Sequence, residues 1–171
     1  CFRREVFNKI GLFDEDLVRN QDDEFNARMR KHGMKVYLVP DVVVTYYARD
    51  TFTKLFRMFY QYGYFKPLVN KKLGLPATMR QFAPLCFVLF IVSGLSIPLV
   101  PAWTPFYAAG LAFYLMGNLY FSWGASKRGL VCLLTMYAHL VQHVAYGTGY
   151  LVGILDFLIL GKKSKRNAPL S

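Results

Sequence analysis

QFAPLCFVLFIVSGLSIPLVPAWTPFYAAGLAFYLMGNLYFSWGAS, residues 81–126, runs for 46 positions without one Asp, Glu, Lys or Arg. A helix needs about 20 residues to cross the hydrocarbon core of a bilayer, so this length has room for two passes. Pro101, Trp103, Thr104 and Pro105 supply an uncharged hairpin turn between expected spans at 82–100 and 106–123. Trp103, Tyr120 and Trp123 suit the aromatic belts at the membrane interface. Lys66, Lys71, Lys72 and Arg80 precede the run, and Lys127 and Arg128 follow it. Basic residues gather on the cytoplasmic flanks of membrane segments, so both feet of the hairpin are expected in the cytoplasm and its tip outside.

A third hydrophobic run, 130–160, ends in a basic tail at 162–171 that carries Lys162, Lys163, Lys165 and Arg166. As a single span it would place the tail outside, against the positive-inside tendency; as a re-entrant or broken segment it would keep the tail inside. Gly147, Gly149 and Gly153 offer places for a break or for close helix packing. His139, Gln142, His143 and Tyr146 fall at i, i+3, i+4 and i+7, a polar stripe on an apolar helix. Polar residues at such depth face other helices or a cavity, so interhelical hydrogen bonding is the plain reading and a docked acceptor headgroup the sharper one. Metal binding by the two histidines lacks a third ligand.

Upstream of the hairpin lies TFTKLFRMFYQYGYFK, residues 51–66. Phe52, Leu55, Phe56 and Phe59 recur at spacings of three and four, while Lys54, Arg57 and Gln61 line another side. A helix with those two faces lies in the headgroup plane or packs on its own domain. Residues 51–80 therefore read as an amphipathic interfacial helix and linker.

Residues 1–50 carry the chemistry. A short helix around 4–9 and a turn at Gly11 lead to Phe13, which anchors a loop whose Asp14, Glu15 and Asp16 face outward. NQDDEFNARMR, residues 20–30, follows as a second helix: Asn20 as N-cap, and Asp22, Asp23 and Glu24 in the first turn, where the macrodipole favours negative charge. Phe25 and Met29 share a side, and Gly33 stops the helix. Acids in a first turn also serve simply to stabilise the helix end. KVYLV at 35–39 and VVVTY at 42–46 read as strands separated by Pro40, and they cannot bury a core alone.

These residues resemble the C-terminal half of the catalytic domain of family 2 glycosyltransferases, which have the GT-A nucleotide-diphospho-sugar transferase fold. The pieces that match are Phe2 to Glu5, then Gly11-Leu12-Phe13-Asp14-Glu15. Gln21-Asp22-Asp23-Glu24-Phe25 with Arg28 follows, then Gly33-Met34-Lys35-Val36 and Pro40. The resemblance implies an α/β remnant over 1–50, followed by transmembrane α-helices, in a chain that is predominantly helical. It nominates Asp22 as catalytic base, with Gln21 where the family usually has Glu. Asp14, Asp23 and Arg28 are implied as substrate contacts. Tyr47 and Arg49 are implied near the donor diphosphate, in place of a His common in the family. Arg57, Gln61, Tyr62 and Lys66 partly echo a Gln/Arg/Trp motif that contacts the acceptor in processive relatives. The segment QYGYFK is similar to one in membrane-anchored polysaccharide enzymes of the succinoglycan-biosynthesis type.

The activity so implied is inverting transfer of a sugar from a nucleotide-diphosphate donor, a UDP-sugar, to a lipid-linked or polysaccharide acceptor. The site would lie at the cytoplasmic face of the inner membrane, in a multi-pass protein that also meets membrane lipids. A divalent cation, Mg or Mn, is expected at the diphosphate. The family's Asp-x-Asp motif and nucleotide-binding half are missing from these residues, so the metal ligands are not expected here. The chain reads as a piece of a longer enzyme and as inactive by itself.

Composition agrees with a membrane protein: 54% of residues are hydrophobic and 17% aromatic, high for a soluble globule of this size. The net charge of +11 raises nucleic acid as a partner. Yet the basic excess clusters at the edges of hydrophobic runs, the pattern of cytoplasmic flanks rather than of a phosphate-tracking groove, so no nucleic acid is expected. Cys1, Cys86 and Cys132 contain no Cys-x-x-Cys pair and suggest neither a disulfide framework nor a zinc site. The rival reading is a non-catalytic membrane scaffold or transporter module, which should show further spans and internal repeats.

Overall fold

The computed structural model describes residues 2–37, 39–74, 76 and 78–162, and among these every regular element is helical. In chain order they are α1 (Arg4–Ile10), α2 (Gln21–Lys31), α3 (Phe52–Leu73), α4 (Ala83–Ser93), α5 (Thr104–Ala125) and α6 (Gly129–Gly153). A π-helical continuation of α6 covers Ile154–Ile159, and 3₁₀ turns at Met79–Phe82, Gly94–Ser96 and Pro101–Trp103 flank the helices of the hairpin.

The head, α1 and α2, closes over Ile10, Phe25 and Met29, with Val6, Phe7 and Met34 packed against them. Phe13 anchors its loop by stacking on Phe25 with ring centroids 4.4 Å apart. Gly33, at φ 74°, ends α2 in a Schellman arrangement in which Met34 N–H donates to Met29 O and Gly33 N–H to Arg30 O. Asn20 corrects the expected N-cap. It sits in the left-handed region at φ 62° and makes no side-chain cap, because its amide instead donates to Tyr62 O on α3. Asn is among the few residues that tolerate that backbone region.

The expected strands are a second correction. None forms among the described residues of 35–46, and no α/β remnant is seen. Val43 is 90% exposed, and Val44 and Tyr46 are nearly as open. β-Branched composition only favours a pleated surface; a strand exists when a neighbour completes its ladder, and among the described residues none pairs with this segment.

Thr51 Oγ1 caps α3 by accepting from Lys54 N–H, and the helix runs past Lys66 to Leu73. It lies parallel to α6. Phe52 packs on Tyr137 with centroids 4.7 Å apart, and Tyr64 meets Phe157 at 4.9 Å. Between them, glycines bring the two backbones together. A Cβ on Gly63 would fall 2.1 Å from Tyr146 O, one on Gly149 2.2 Å from Tyr60 O, and one on Gly153 2.2 Å from Tyr64 O. The α6 glycines therefore serve close packing, and the helix runs through them unbroken. Leu17, Phe65, Leu68, Val69, Leu73 and Phe157 form one buried cluster that joins head, α3 and the end of α6.

The α6 polar stripe is used between helices. His139 Nδ1 lies 2.8 Å from Asn118 Oδ1, His143 Nδ1 3.1 Å from Tyr114 OH, and Asn118 Nδ2 donates to Met136 O at 3.1 Å. Two helical stretches, Met79–Ser96 and Gly129–Ile159, are long and apolar enough to cross a membrane. α5 has the length, 22 residues, but lower hydropathy. Its polar groups Tyr114, Asn118 and Ser122 turn toward α6, while Phe106, Phe113, Met116, Leu119 and Phe121 stay exposed.

Candidate functional site

Asp22 stands in the first turn of α2 and is exposed. It lines a cavity of about 290 Å³ with Phe13, Val18, Arg19, Asn20, Gln21 and Tyr62. The chain builds this mouth by docking the start of α2 onto the middle of α3. Arg19 Nε donates to Gln61 Oε1 at 2.9 Å and Asn20 Nδ2 to Tyr62 O at 2.9 Å, while Gln21 Nε2 turns back to Leu17 O. The free N–H groups of a first helical turn favour negative charge there.

Its two neighbours are committed elsewhere. Asp23 accepts from Lys66 Nζ on α3. Glu24, buried, receives a two-pronged bond from Arg28, with Nε to Oε1 and Nη2 to Oε2 both at 2.9 Å. Of three consecutive carboxylates, only Asp22 shows no cation among the described contacts. A second opening of about 440 Å³, lined by Asp23, Asn26, Arg30, Val36, Lys66 and Thr78, includes the Asp23–Lys66 pair.

The other nominated residues divide by location. Asp14 does not face outward as expected, for Lys72 Nζ bridges it to Asp16, 3.0 Å from the latter. Burial pushes the Asp14 carboxyl up, but the Lys72 bond and the Asp16 backbone N–H outweigh it and hold it below the usual carboxylate range. Burial likewise lowers Lys72, and its bonds to Asp14 and Asp16 bring it above the ordinary lysine value.

Arg28 also donates to Ile10 O and Leu12 O and lies over the Phe25 ring, so its guanidinium clamps α1 to α2. Gln61 and Lys66 form the α2–α3 joint, and Arg57 lies one turn before Gln61 on α3. Tyr47, 85% exposed, and Arg49 lie outside the lining of the Asp22 cavity. Lys54, not Arg49, pairs with Asp50, at 2.8 Å. The sequence reading missed Arg19 and the role of Asn20, because both act through partners 42 positions away.

Across 162 residues, 91% of this chain, the sequence is 28% identical to the succinoglycan biosynthesis protein ExoA of Rhizobium meliloti (strain 1021). Across 61 residues, 36% of the chain, it is 39% identical to a dolichyl N-acetyl-alpha-D-glucosaminyl phosphate 3-beta-D-2,3-diacetamido-2,3-dideoxy-beta-D-glucuronosyltransferase of Methanococcus voltae. The chain is related to the glycosyltransferases of polysaccharide and glycan biosynthesis. The matched stretches span 46% of the length of the first relative and 19% of the second. No family model and no solved structure matches the sequence.

Proposed function

We propose that this chain carries the acceptor-side edge of an inverting glycosyltransferase at the cytoplasmic face of the inner membrane. The observation that supports this most is Asp22 at a cavity mouth that α3 helps to build, the one of three consecutive carboxylates with no cation among the described contacts. In this reading the acceptor hydroxyl enters the cavity and its oxygen attacks the anomeric carbon of a nucleotide-diphosphate sugar, a UDP-sugar. As the new C–O bond forms and the bond to the diphosphate breaks, Asp22 takes the hydroxyl proton, which requires hydrogen-bond reach of that oxygen.

Gln61 and Lys66 act as positioning residues that hold the first turn of α2 against α3, and Tyr62 offers the acceptor an aromatic wall. A lipid-linked acceptor suits a site tied to an apolar hairpin. A divalent cation would offset charge on the departing diphosphate. Among the described residues no group of three or more His, Cys, Asp or Glu could hold one, and Asp23 and Glu24 already have cationic partners. The matched stretches span 46% and 19% of the two relatives' lengths, and the activity is assigned to a full-length enzyme rather than to this chain alone.

The test is Asp22→Asn in that complete enzyme, read as initial transfer rate from a nucleotide sugar. Loss of a general base lowers turnover by about 10²–10⁴-fold. Normal turnover with an intact fold would remove Asp22 from the mechanism and leave the first-turn acids as groups that only stabilise a helix end.

A further inference from the structure

We propose that α6 does not cross the bilayer but lies along its surface beside α3, on the side that carries the head, so that only the α4–α5 hairpin passes through. This rests on the membrane reading given above. By length and composition Gly129–Ile159 could span, since 31 helical residues reach about 46 Å. A crossing helix of that length must have its ends on opposite sides. The contacts keep both ends of α6 on one side.

Three residues, 126–128, join the end of α5 to the start of α6. α6 then meets α5 from its C-terminal half to its middle, with Met136 O on Asn118, His139 on Ser122 and Asn118, and His143 on Tyr114. Next it meets the first turns of α4. His143 packs on Phe87 with centroids 5.7 Å apart, Gly147 lies against Pro84 O and Val88, and Tyr150 is 5.7 Å from Phe82. The start of α4 and the end of α5 are the two feet of one hairpin and lie on the same side. Finally the end of α6 reaches the head: Asp156 accepts from Tyr64 OH, and Phe157 enters the cluster that holds Leu17.

The registers give the same answer. α4 and α5 run antiparallel, Phe90 on Tyr107 and Phe87 on Tyr114, yet α6 runs antiparallel to both. Three helices cannot satisfy that with collinear axes, so α6 crosses the hairpin obliquely, with His143 against the middle of both helices.

α3 supplies an independent argument. It is parallel to α6 and carries Lys54, Arg57, Lys66, Lys71 and Lys72, so a crossing α6 would draw these charges into hydrocarbon, where they are costly. Lys66 and Lys72 are instead bonded to Asp23, Asp14 and Asp16 of the head. The free face of α6 suits a lipid surface: Leu130, Leu133, Leu134 and Leu140 lie on one side of the helix and are exposed.

The experiment is site-directed labelling of the full chain with a membrane-impermeant maleimide, in intact spheroplasts and in inverted vesicles. Single cysteines replace Ala102 at the hairpin tip, Ser126 after α5 or Lys162 after α6, in a background with Cys1, Cys86 and Cys132 changed to Ala. The expected result is that Ser126→Cys and Lys162→Cys label from one side and Ala102→Cys from the other, each with at least a tenfold difference between preparations. Lys162→Cys labelling together with Ala102→Cys would overturn the proposal and leave the membrane reading standing. Ala102→Cys labelling from the same side as Ser126→Cys, or release of the chain by carbonate washing, would sink the membrane reading and the proposal with it.

Discussion

Lys66 of α3 donates its ammonium to the carboxylate of Asp23, while Asp22, one residue earlier, lines a cavity and makes no ion pair among the described contacts. One step along the first turn of α2 thus separates a structural carboxylate from an available one. The division arises because consecutive helical residues point about 100° apart, so α3 can reach only one of the pair.

The Asp23–Lys66 contact should behave as a docking pair. The Lys66 side chain is 11% exposed and that of Asp23 49%, so solvent screens one end of it. A double-mutant cycle of Asp23→Ala and Lys66→Met, read by thermal unfolding in detergent, is expected to give a coupling of about 0.5–1 kcal/mol. Asp23→Asn should reduce transfer far less than Asp22→Asn. Equal losses would show that the first turn acts as a unit.

Arg28 should matter to folding more than to substrate. Its removal leaves Glu24, 5% exposed, without its cation and two head carbonyls without a donor. Arg28→Ala is expected to cost about 3–5 kcal/mol, the range for breaking one side of a buried pair. Calorimetry of the variant beside Glu24→Gln, which keeps an acceptor at that position, is the check.

The glycine contacts should be intolerant of a single methyl. Gly63→Ala and Gly149→Ala each place a carbon against a backbone carbonyl and are expected to cost about 1–3 kcal/mol, lowering Tm. Gly117 on α5 has nothing within 4 Å of such a carbon. Gly117→Ala should therefore stabilise by about 0.5–1 kcal/mol, through helix propensity. A Gly63→Ala variant with unchanged Tm would mean that α3 and α6 are not held together as described.

Docking of the head onto α3 should have two pH limits. Asp14 is held below its ordinary value of 3.8, so its contribution is present above that pH and is lost as pH falls through the lower, folded value. Lys72 is raised above its ordinary 10.5, so its contribution is present below that pH and is lost as pH rises through the higher, folded value. Lys72→Met should flatten both limbs of a stability–pH profile. Asp14→Asn should remove the acid limb arising from that group.

Much of the helical layout was legible in the chain. α1, α2, the Gly33 stop and the uncharged hairpin follow from charge placement, a turn glycine and apolar run length. These are local properties, set within a few turns. The expected strands failed for the opposite reason, because a ladder is made by a neighbour that local composition cannot report. The Asn20 cap failed because a partner 42 positions away offered its amide a carbonyl.

The same distinction runs through the site. Residue type and spacing placed three carboxylates in one helical turn, since these determine helix-end chemistry, while the nomination of Asp22 among them came from the resemblance to family 2 glycosyltransferases. Arg28 takes Glu24 one turn away within α2, but which of Asp22 and Asp23 remains available was decided by tertiary contacts: Lys66 takes Asp23, and α3 walls the cavity at Tyr62. Hydrophobicity likewise marked 130–160 as apolar, but only packing put Gly149 and Gly153 against the backbone of α3 and Gly147 against α4. Hydropathy sums over side chains along one segment, whereas the course of a helix depends on which surfaces meet it on every side.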